Sequence, residues 1–237
     1  MIDKMTQLSQ RKAAVIAGLA YLIVFFLTPH AWIDKLIVPG DAAATFTNLS
    51  GSESLFRVGI VSWLIVLVAD TVLAWALYYF LKPVNRGLSF LAGCFRLLFV
   101  AIFAVNMLSW AEILPLLEGS ELLATLNKSQ LEAQAMLHYA AYIYGSNIAF
   151  IFFGLHIGIV GYLVWKSGYI PRALGVLLLV AFAGYLIDSF ASFLSPNYAN
   201  NDTAFWIIVA LPAILSEFSL TIWLLIKGGK TANAKNT

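Results

Sequence analysis

Charged side chains are scarce in this sequence. Asp, Glu, Lys and Arg make up 11% of its 237 residues, whereas soluble domains average about 25%. Together with a hydrophobic content of 61%, this deficit excludes a soluble globular protein. Disordered chains are short of aromatic residues, and the 14% found here excludes that class. The basic residues are scattered and the net charge is only +2, so we expect no nucleic-acid partner.

Cysteine and histidine are scarce as well. The lone Cys94 excludes an internal disulfide and any site with several thiolate ligands. Of the three histidines, His30 and His138 lie near predicted loops, far from His156. The sequence therefore lacks the two or three ligands at one depth that zinc hydrolysis or paired haem ligation needs. We therefore predict no cofactor and no metal. One alternative stays open, a metal site at the outer surface from four residues whose loops would have to converge: His30, Asp34, Glu112 and His138.

Long apolar runs are what the sequence has in abundance. A helix needs about 20 mostly apolar residues to cross about 30 Å of hydrocarbon. Six stretches meet this requirement: 13–32, 56–80, 88–114, 135–165, 173–194 and 204–226. They are too long for the alternating strands of a membrane barrel. We predict an all-α membrane protein, a six-helix transmembrane bundle over 13–226, with an N-terminal segment 1–12 and a tail 227–237.

The distribution of basic residues predicts the orientation, because cytoplasmic loops are rich in lysine and arginine. With the N-terminus inside, ten basic residues face the cytoplasm: Lys4, Arg11, Lys12, Lys82, Arg86, Lys166, Arg172, Lys227, Lys230 and Lys235. Only Lys35, Arg57 and Lys128 face outward. We expect both termini in the cytoplasm and the protein in a bacterial inner membrane, with the lipid bilayer as its first partner.

Two polar motifs between the spans predict helix starts. Pro39, Gly40 and Asp41 form a turn followed by an N-cap, which predicts a short surface helix from Ala42. The segment 129–132 reads Ser-Gln-Leu-Glu, a capping box, so we expect the fourth spanning helix to begin outside the bilayer.

Ionisable residues inside the spans are the candidates for function, because a charge at a helix centre is costly there. Counted at 1.5 Å per residue from the nearest cytoplasmic base, Arg96, His156 and Glu217 each lie about 15 Å deep, and Asp70 about 18 Å. Asp188 lies higher, at about 24 Å. We predict that the second, third, fourth and sixth spans converge on Arg96, with Asp70 and Glu217 as candidate partners and His156 as a neighbour whose protonation switches near neutral pH.

The fourth span has two functional faces. Gly154, Gly158 and Gly161 follow small-xxx-small spacing and share a face with Asn147, while His156 points nearly the opposite way. The glycine stripe predicts a close helix neighbour on one side, and the histidine predicts polar company on the other. We therefore expect this helix to be central.

The fifth and sixth spans add weaker signals. Asp188 and Ser192 share a polar stripe with Gly184 and Ser195 on the fifth span. Pro212 on the sixth frees a backbone carbonyl near the midplane, above Glu217. Broken backbone beside a buried acid is typical of ion and solute sites in transporters.

Six segments of the chain resemble a known family: RKAA at 11–14, LIVPGDAAA at 36–44, LKPVNR at 81–86, FGLH at 153–156, SGYIPR at 167–172 and YLIDSF at 185–190. They are similar to a bacterial family of integral membrane proteins named domain of unknown function 4386. The resemblance runs from about residue 11 to 227 and implies a multi-helix bacterial inner-membrane protein. It implies no activity and no catalytic residue.

Three interpretations of the midplane residues remain open. The first is that they bind or translocate a small polar solute or ion, coupled to protons, because two acids and a histidine exceed what one arginine needs. The second is a structural or partner-binding protein in which Arg96 only holds the bundle together. The third is a membrane enzyme acting on a lipid-like substrate, although no nucleophile stands beside a base. The sequence predicts neither the solute nor the oligomeric state.

Overall fold

A computed structural model describes residues 8–119, 125–195, 198 and 202–229. In chain order the helices are α1 (Gln10–Leu27), α2 (His30–Ile33), α3 (Ala42–Gly51), α4 (Glu53–Leu81), α5 (Arg86–Ala111), α6 (Leu114–Glu118), α7 (Lys128–Lys166), α8 (Arg172–Leu194) and α9 (Asp202–Ile226), with a 3-10 turn at Asp34–Leu36. Among the described residues, six helices are long and apolar enough to span a membrane: α1, α4, α5, α7, α8 and α9. The predicted all-α bundle with six spans is therefore confirmed. Lys4, Lys230 and Lys235 lie outside the described residues.

The six long helices form a closed ring. Each packs against the next long helix along the chain, and α9 packs back against α1. The most extensive contacts are those of α7 with α8 and with α5. The ring gives all six helices one shared interior, so a polar side chain that points inward is surrounded by protein and not by lipid.

The first span is shorter than its apolar run predicts. Helix α1 ends at Leu27, and Thr28 is extended with φ −64° and ψ 118°. Pro29 explains the difference, because a proline disfavours helical conformation in the residue before it. The apolar residues up to Trp32 therefore belong to the connection and to α2.

Helix α7 begins outside the predicted span, as its polar start indicates, but with a different cap. Asn127 is the N-cap, its side chain accepts a hydrogen bond from the Gln130 backbone nitrogen at 3.0 Å, and Gln130 Oε1 accepts from the Asn127 nitrogen at 2.9 Å. The capping box thus starts two residues earlier than the predicted Ser129. At α3 the predicted cap is confirmed, since Asp41 Oδ1 accepts from the Ala44 nitrogen at 2.9 Å.

The glycine stripe of α7 faces α8 at close range. A Cβ added at Gly154, Gly158 or Gly161 would lie 3.1, 2.9 or 3.0 Å from the nearest α8 side-chain atom. On α8, a Cβ at Gly175 would lie 2.8 Å from the Gly161 carbonyl oxygen. His156 lies on the opposite face, toward α5. Helix α7 is thus contacted closely on both sides, as the spacing predicts.

Arg11 joins the first and last helices of the ring. It lies at the end of the bundle where α1 begins and α9 finishes, which we call the terminal end. Its Nη1 donates to the carbonyls of Leu224 at 3.1 Å and Gly228 at 2.9 Å, and its Nη2 donates to Leu225 at 2.7 Å. The last carbonyls of a helix have no partner within the helix. Arg11 satisfies two of these α9 carbonyls, those of Leu224 and Leu225, and closes the ring between α9 and α1.

Candidate functional site

Four ionisable residues lie buried inside the ring, each on a different helix. The exposed fractions are 2% for Asp70 on α4, 0% for Arg96 on α5, 0% for His156 on α7 and 7% for Glu217 on α9. Their side chains are therefore kept away from the lipid-facing surface. We call these four residues the midplane cluster.

Asp70 is the counter-ion of Arg96. The Nε of Arg96 donates to Asp70 Oδ1 at 3.0 Å, and its Nη2 donates to the same oxygen. Both partners are buried, so the pair is shielded from water, where an exposed pair would contribute little. Removing one partner would leave an uncompensated charge inside the bundle, which typically costs about 3–5 kcal/mol.

His156 joins the other side of Arg96 and is held in one protonation state by its two hydrogen bonds. Its Nε2 lies 2.9 Å from Arg96 Nη1, and its Nδ1 lies 2.8 Å from the Ala92 carbonyl oxygen. A guanidinium can only donate, so Nε2 accepts and Nδ1 carries the single ring proton, which it donates to Ala92. The imidazole is therefore neutral here, and the expected switch of His156 near neutral pH requires this chain of hydrogen bonds to break first.

Two aromatic rings flank the guanidinium. The Cζ of Arg96 lies 5.1 Å from the centre of the Phe153 ring and 5.5 Å from that of the Tyr21 ring. Distances below about 6 Å are typical of cation–π contacts. Tyr21 and Phe153 therefore contribute to holding the charge of Arg96 inside the bundle, and they bring α1 into the cluster.

Glu217 lies in the cluster without direct contact to the arginine. Arg96 and Asp70 are close enough to act on Glu217 electrostatically, but among the described side chains its carboxyl group forms no direct ion pair with Arg96. Of the two candidate partners of Arg96, Asp70 is therefore in a direct ion pair with it and Glu217 is not. Three of the five N–H groups of Arg96 are directed to Asp70 and His156 instead.

Asp188 and Ser192 lie apart from the midplane cluster. Asp188 Oδ1 accepts a hydrogen bond from the Tyr198 hydroxyl at 2.8 Å, and Ser192 Oγ donates to the Ser189 carbonyl at 2.8 Å. Both are thus engaged near the end of α8 that is remote from the terminal end. Pro212 lies inside α9, five residues before Glu217, and Asn147 is buried on α7.

Two tyrosines belong to the site, and neither was predicted from the sequence. The Tyr21 ring on α1 lies 5.5 Å from Arg96 Cζ, and the Tyr185 ring on α8 lies 5.1 Å from the Phe153 ring. Both tyrosines are close enough to Glu217 and Arg96 for electrostatic interaction. A signal for Tyr21 was present in the sequence, since it lies ten residues after Arg11, the same count that places Arg96 below Arg86. Tyr185 precedes Asp188 by three residues and had no comparable signal.

The outer metal site is not assembled in the described part of the chain. His138 Nδ1 lies 3.0 Å from Glu112 Oε2, so two of the four residues meet. Among the residues whose side chains the structure describes, no group of three or more His, Cys, Asp or Glu residues could hold a metal ion. The side chain of His30 lies outside the described part.

Comparison with known sequences covers most of the chain. Residues 16–228 match the model of a family described as Domain of unknown function (DUF4386). The chain belongs to this family. An uncharacterized protein of Archaeoglobus fulgidus is 28% identical over 178 residues, which cover 75% of this chain and 88% of that protein. No solved structure matches the chain.

The family match covers the candidate site, and the relative shows that similar chains occur outside bacteria. The matched residues include all four members of the midplane cluster and every one of the six long helices in whole or in part. The resemblance suggested a bacterial family, but the relative is archaeal, so similar chains are not confined to bacteria.

Proposed function

We propose that this DUF4386 protein binds or translocates a small polar solute or ion at the midplane cluster. The observation that carries the proposal is the surplus acid. Asp70 and His156 already occupy three N–H groups of Arg96, yet Glu217 is buried beside them. A residue that only balanced Arg96 would duplicate Asp70. Ionisable residues inside a membrane mark solute and ion pathways more often than they serve packing alone.

A structural role is the second candidate, and a specific observation favours it. Asp70, Arg96, His156 and the Ala92 carbonyl form one continuous chain of hydrogen bonds that joins α4, α5 and α7. Such a chain satisfies each of its members without any ligand. In addition, two grooves on the described surface are lined by residues outside the cluster, such as Leu88 and Phe182 in one and Pro171 and Trp223 in the other.

Water access to the cluster separates the two candidates without knowledge of the solute. A binding or transport site must open to water in some state, whereas a purely structural cluster stays dry. Ser216 is buried next to Glu217, so a Ser216→Cys change in a Cys94→Ala background places a small thiol beside the site. We expect this thiol to react with a small cationic methanethiosulfonate reagent applied to the protein in lipid vesicles.

Two matched positions control this experiment. Ile214→Cys, on the exposed face of α9, places a thiol against lipid, where a charged reagent does not reach it. Lys128→Cys, at a side chain that is 75% exposed, gives the rate for full access. If Ser216→Cys reacts no faster than Ile214→Cys from either side of the membrane, and Thr221→Cys one turn away gives the same result, the cluster is dry and the structural role replaces the proposal.

We further propose that the terminal end faces the cytoplasm of a plasma membrane. Seven described basic residues lie at this end: Arg11, Lys12, Lys82, Arg86, Lys166, Arg172 and Lys227. This excess supports the orientation through the positive-inside rule. In intact cells an impermeant maleimide should label Lys128→Cys and spare Lys12→Cys. The reverse pattern would invert the orientation.

A further inference from the structure

The two hydroxyl groups beside Glu217 on its own helix are not available to its carboxyl group. Ser216 Oγ donates to the Ala213 carbonyl at 3.1 Å, and Thr221 Oγ1 donates to the backbone carbonyl of Glu217 at 2.7 Å. A hydroxyl has only one proton to donate. Glu217 therefore receives no hydrogen bond from the polar neighbours that surround it on α9.

The groups that face Glu217 from the other helices supply one positive charge, which is already matched. Tyr21 on α1, Tyr185 on α8, Asp70 on α4 and Arg96 on α5 are close enough to act on Glu217 electrostatically. The charge of Arg96 is balanced by Asp70 at hydrogen-bond distance. An ionised Glu217 would thus leave one net negative charge inside the ring.

The Tyr21 hydroxyl is another buried polar group of the same cluster. Tyr21 is fully buried, and its Oη makes no hydrogen bond of ordinary geometry within the described residues, although Arg96 lies close to it. A buried polar group without a full partner destabilises the folded state. A neutral, protonated carboxyl group both removes the net charge and adds a donor that a hydroxyl oxygen accepts. A carboxylate would instead need donors that this arrangement does not direct to it.

We propose that Glu217 is a proton-binding site and that the proton it carries is the ion coupled to movement of the solute. This inference rests on the proposed function of the cluster. In the closed ring the carboxyl group of Glu217 is neutral. When the ring opens, entering water takes the proton as hydronium, and the carboxylate left behind is stabilised by water and by the nearby charge of Arg96. Closing the ring again requires a proton to return.

The first test uses N,N′-dicyclohexylcarbodiimide, a lipid-soluble reagent that reacts with protonated carboxyl groups. The carboxyl proton passes to a carbodiimide nitrogen as the carboxylate oxygen bonds to the central carbon, and rearrangement leaves a stable acylurea. At neutral pH we expect mass spectrometry to find the label on Glu217, with loss of this label in Glu217→Gln. The exposed Glu112, which pairs with His138, is the internal control and should remain unlabelled.

Competition by sodium distinguishes a proton from a metal cation at the same carboxyl group. The labelling is repeated with sodium chloride and with choline chloride at equal ionic strength. A proton site labels equally in both salts. Protection by sodium alone would overturn the proposal, because it would show that Glu217 holds a monovalent metal cation in exchange for the proton.

Infrared spectroscopy covers the case in which the reagent does not reach Glu217. The difference spectrum between the unaltered protein and Glu217→Gln at neutral pH should contain the carbonyl stretch of a protonated carboxyl group. Its absence, with a carboxylate band in its place, would overturn the proposal whatever the labelling shows.

The outcome of this test is separable from that of the proposed function. If Ser216→Cys is accessible to water but Glu217 is ionised, the cluster still handles a solute, and the coupling to protons is lost. If Glu217 is protonated but Ser216→Cys stays dry, the proton is a fixed part of a structural core. In the second case the proton coupling and the proposed function fail together.

Discussion

Both Nε and Nη2 of Arg96 donate to the same oxygen of Asp70, in the interior of a ring of six helices. The pair joins α4 to α5 at a depth where neither partner reaches water. A buried pair of this kind is not in itself a source of stability, because desolvation offsets the attraction between the charges. The two residues instead depend on each other, because removing either one leaves the buried charge of the other uncompensated.

This dependence predicts a strong coupling between substitutions at the two positions. Arg96→Met alone leaves Asp70 unpaired, and Asp70→Leu alone leaves Arg96 unpaired, so each should lower the free energy of unfolding by about 3–5 kcal/mol. The double variant should recover most of the loss, because an apolar pair of similar volume replaces the ion pair. Thermal unfolding of the four proteins in detergent measures the coupling. Additive losses in the double variant would contradict a direct ion pair.

His156 provides a prediction about a single proton. Because Arg96 donates to Nε2, the ring should carry its proton on Nδ1, bonded to the Ala92 carbonyl. In the 15N spectrum of labelled protein, Nδ1 of His156 should be protonated and Nε2 should not, with His156→Gln assigning the signal. The opposite tautomer, or a doubly protonated ring, would contradict the geometry. His156→Phe removes both bonds and should cost about 1–3 kcal/mol.

The sequence predicted that the four ionisable residues share one level of the bundle. It predicted less well which way each side chain points around its helix. Counting residues from the nearest base placed Asp70, Arg96, His156 and Glu217 in one layer, and all four are buried together. The count gives no rotation about the helix axis. Glu217 was therefore expected at Arg96, whereas the guanidinium turns to Asp70 and His156.

The residues that were missed are the ones without a charge. Tyr21 and Phe153 flank Arg96 through their ring faces, and an aromatic residue inside an apolar span looks like ordinary packing. Helix α7, in contrast, could be oriented from the sequence, because its glycines share one face and its histidine lies on the other. That pattern predicted the central position of the helix, with Gly161 against α8 and His156 against α5.

Because α7 and α8 approach closely at Gly175, we expect that adding a single methyl group there lowers the stability of the protein. A Cβ at Gly175 would lie 2.7 Å from the backbone nitrogen of Trp165 and 2.8 Å from the Gly161 carbonyl oxygen. Backbone atoms yield little, so Gly175→Ala should destabilise the protein by about 1–3 kcal/mol. The matched control is Gly87→Ala on α5, where the nearest atom lies 3.6 Å away. There alanine should be neutral or slightly stabilising, and equal losses at both positions would contradict the close approach.

Tyr169, in the turn between α7 and α8, predicts a loss of stability at alkaline pH. Its hydroxyl donates to the Phe80 carbonyl at 3.3 Å and accepts from Gln10 Nε2 at 2.9 Å. Burial raises the pKa of Tyr169 from 10.0 to about 12. Since the folded protein favours the protonated form, this contribution is complete below the unfolded pKa of 10.0 and is lost as the pH rises through about 12.

Comparison with Tyr169→Phe isolates this contribution. The variant loses the hydrogen bond to Phe80, which should cost about 0.5–1.5 kcal/mol at neutral pH. The difference in melting temperature between the two proteins should then shrink above pH 10.0, the ordinary pKa of tyrosine. A difference that stays constant up to strongly alkaline pH would show that the Tyr169 hydroxyl does not titrate with folding.

The hydrogen bonds of Arg11 lead to a prediction about what holds the first and last helices of the ring together. The three hydrogen bonds, two to α9 carbonyls and one to Gly228 just after the helix, are charge-assisted, and single bonds to charged groups contribute about 1.5–3 kcal/mol. Arg11→Ala should therefore destabilise the protein by at least one such bond and speed amide hydrogen exchange in the last turn of α9. Lys12→Ala, an exposed cation one residue away, removes the same charge without these bonds and should change neither. If the two variants behave alike, the basic charge matters at this end for orientation in the membrane, and α9 is held to α1 by packing, such as that of Leu225 against Gly18.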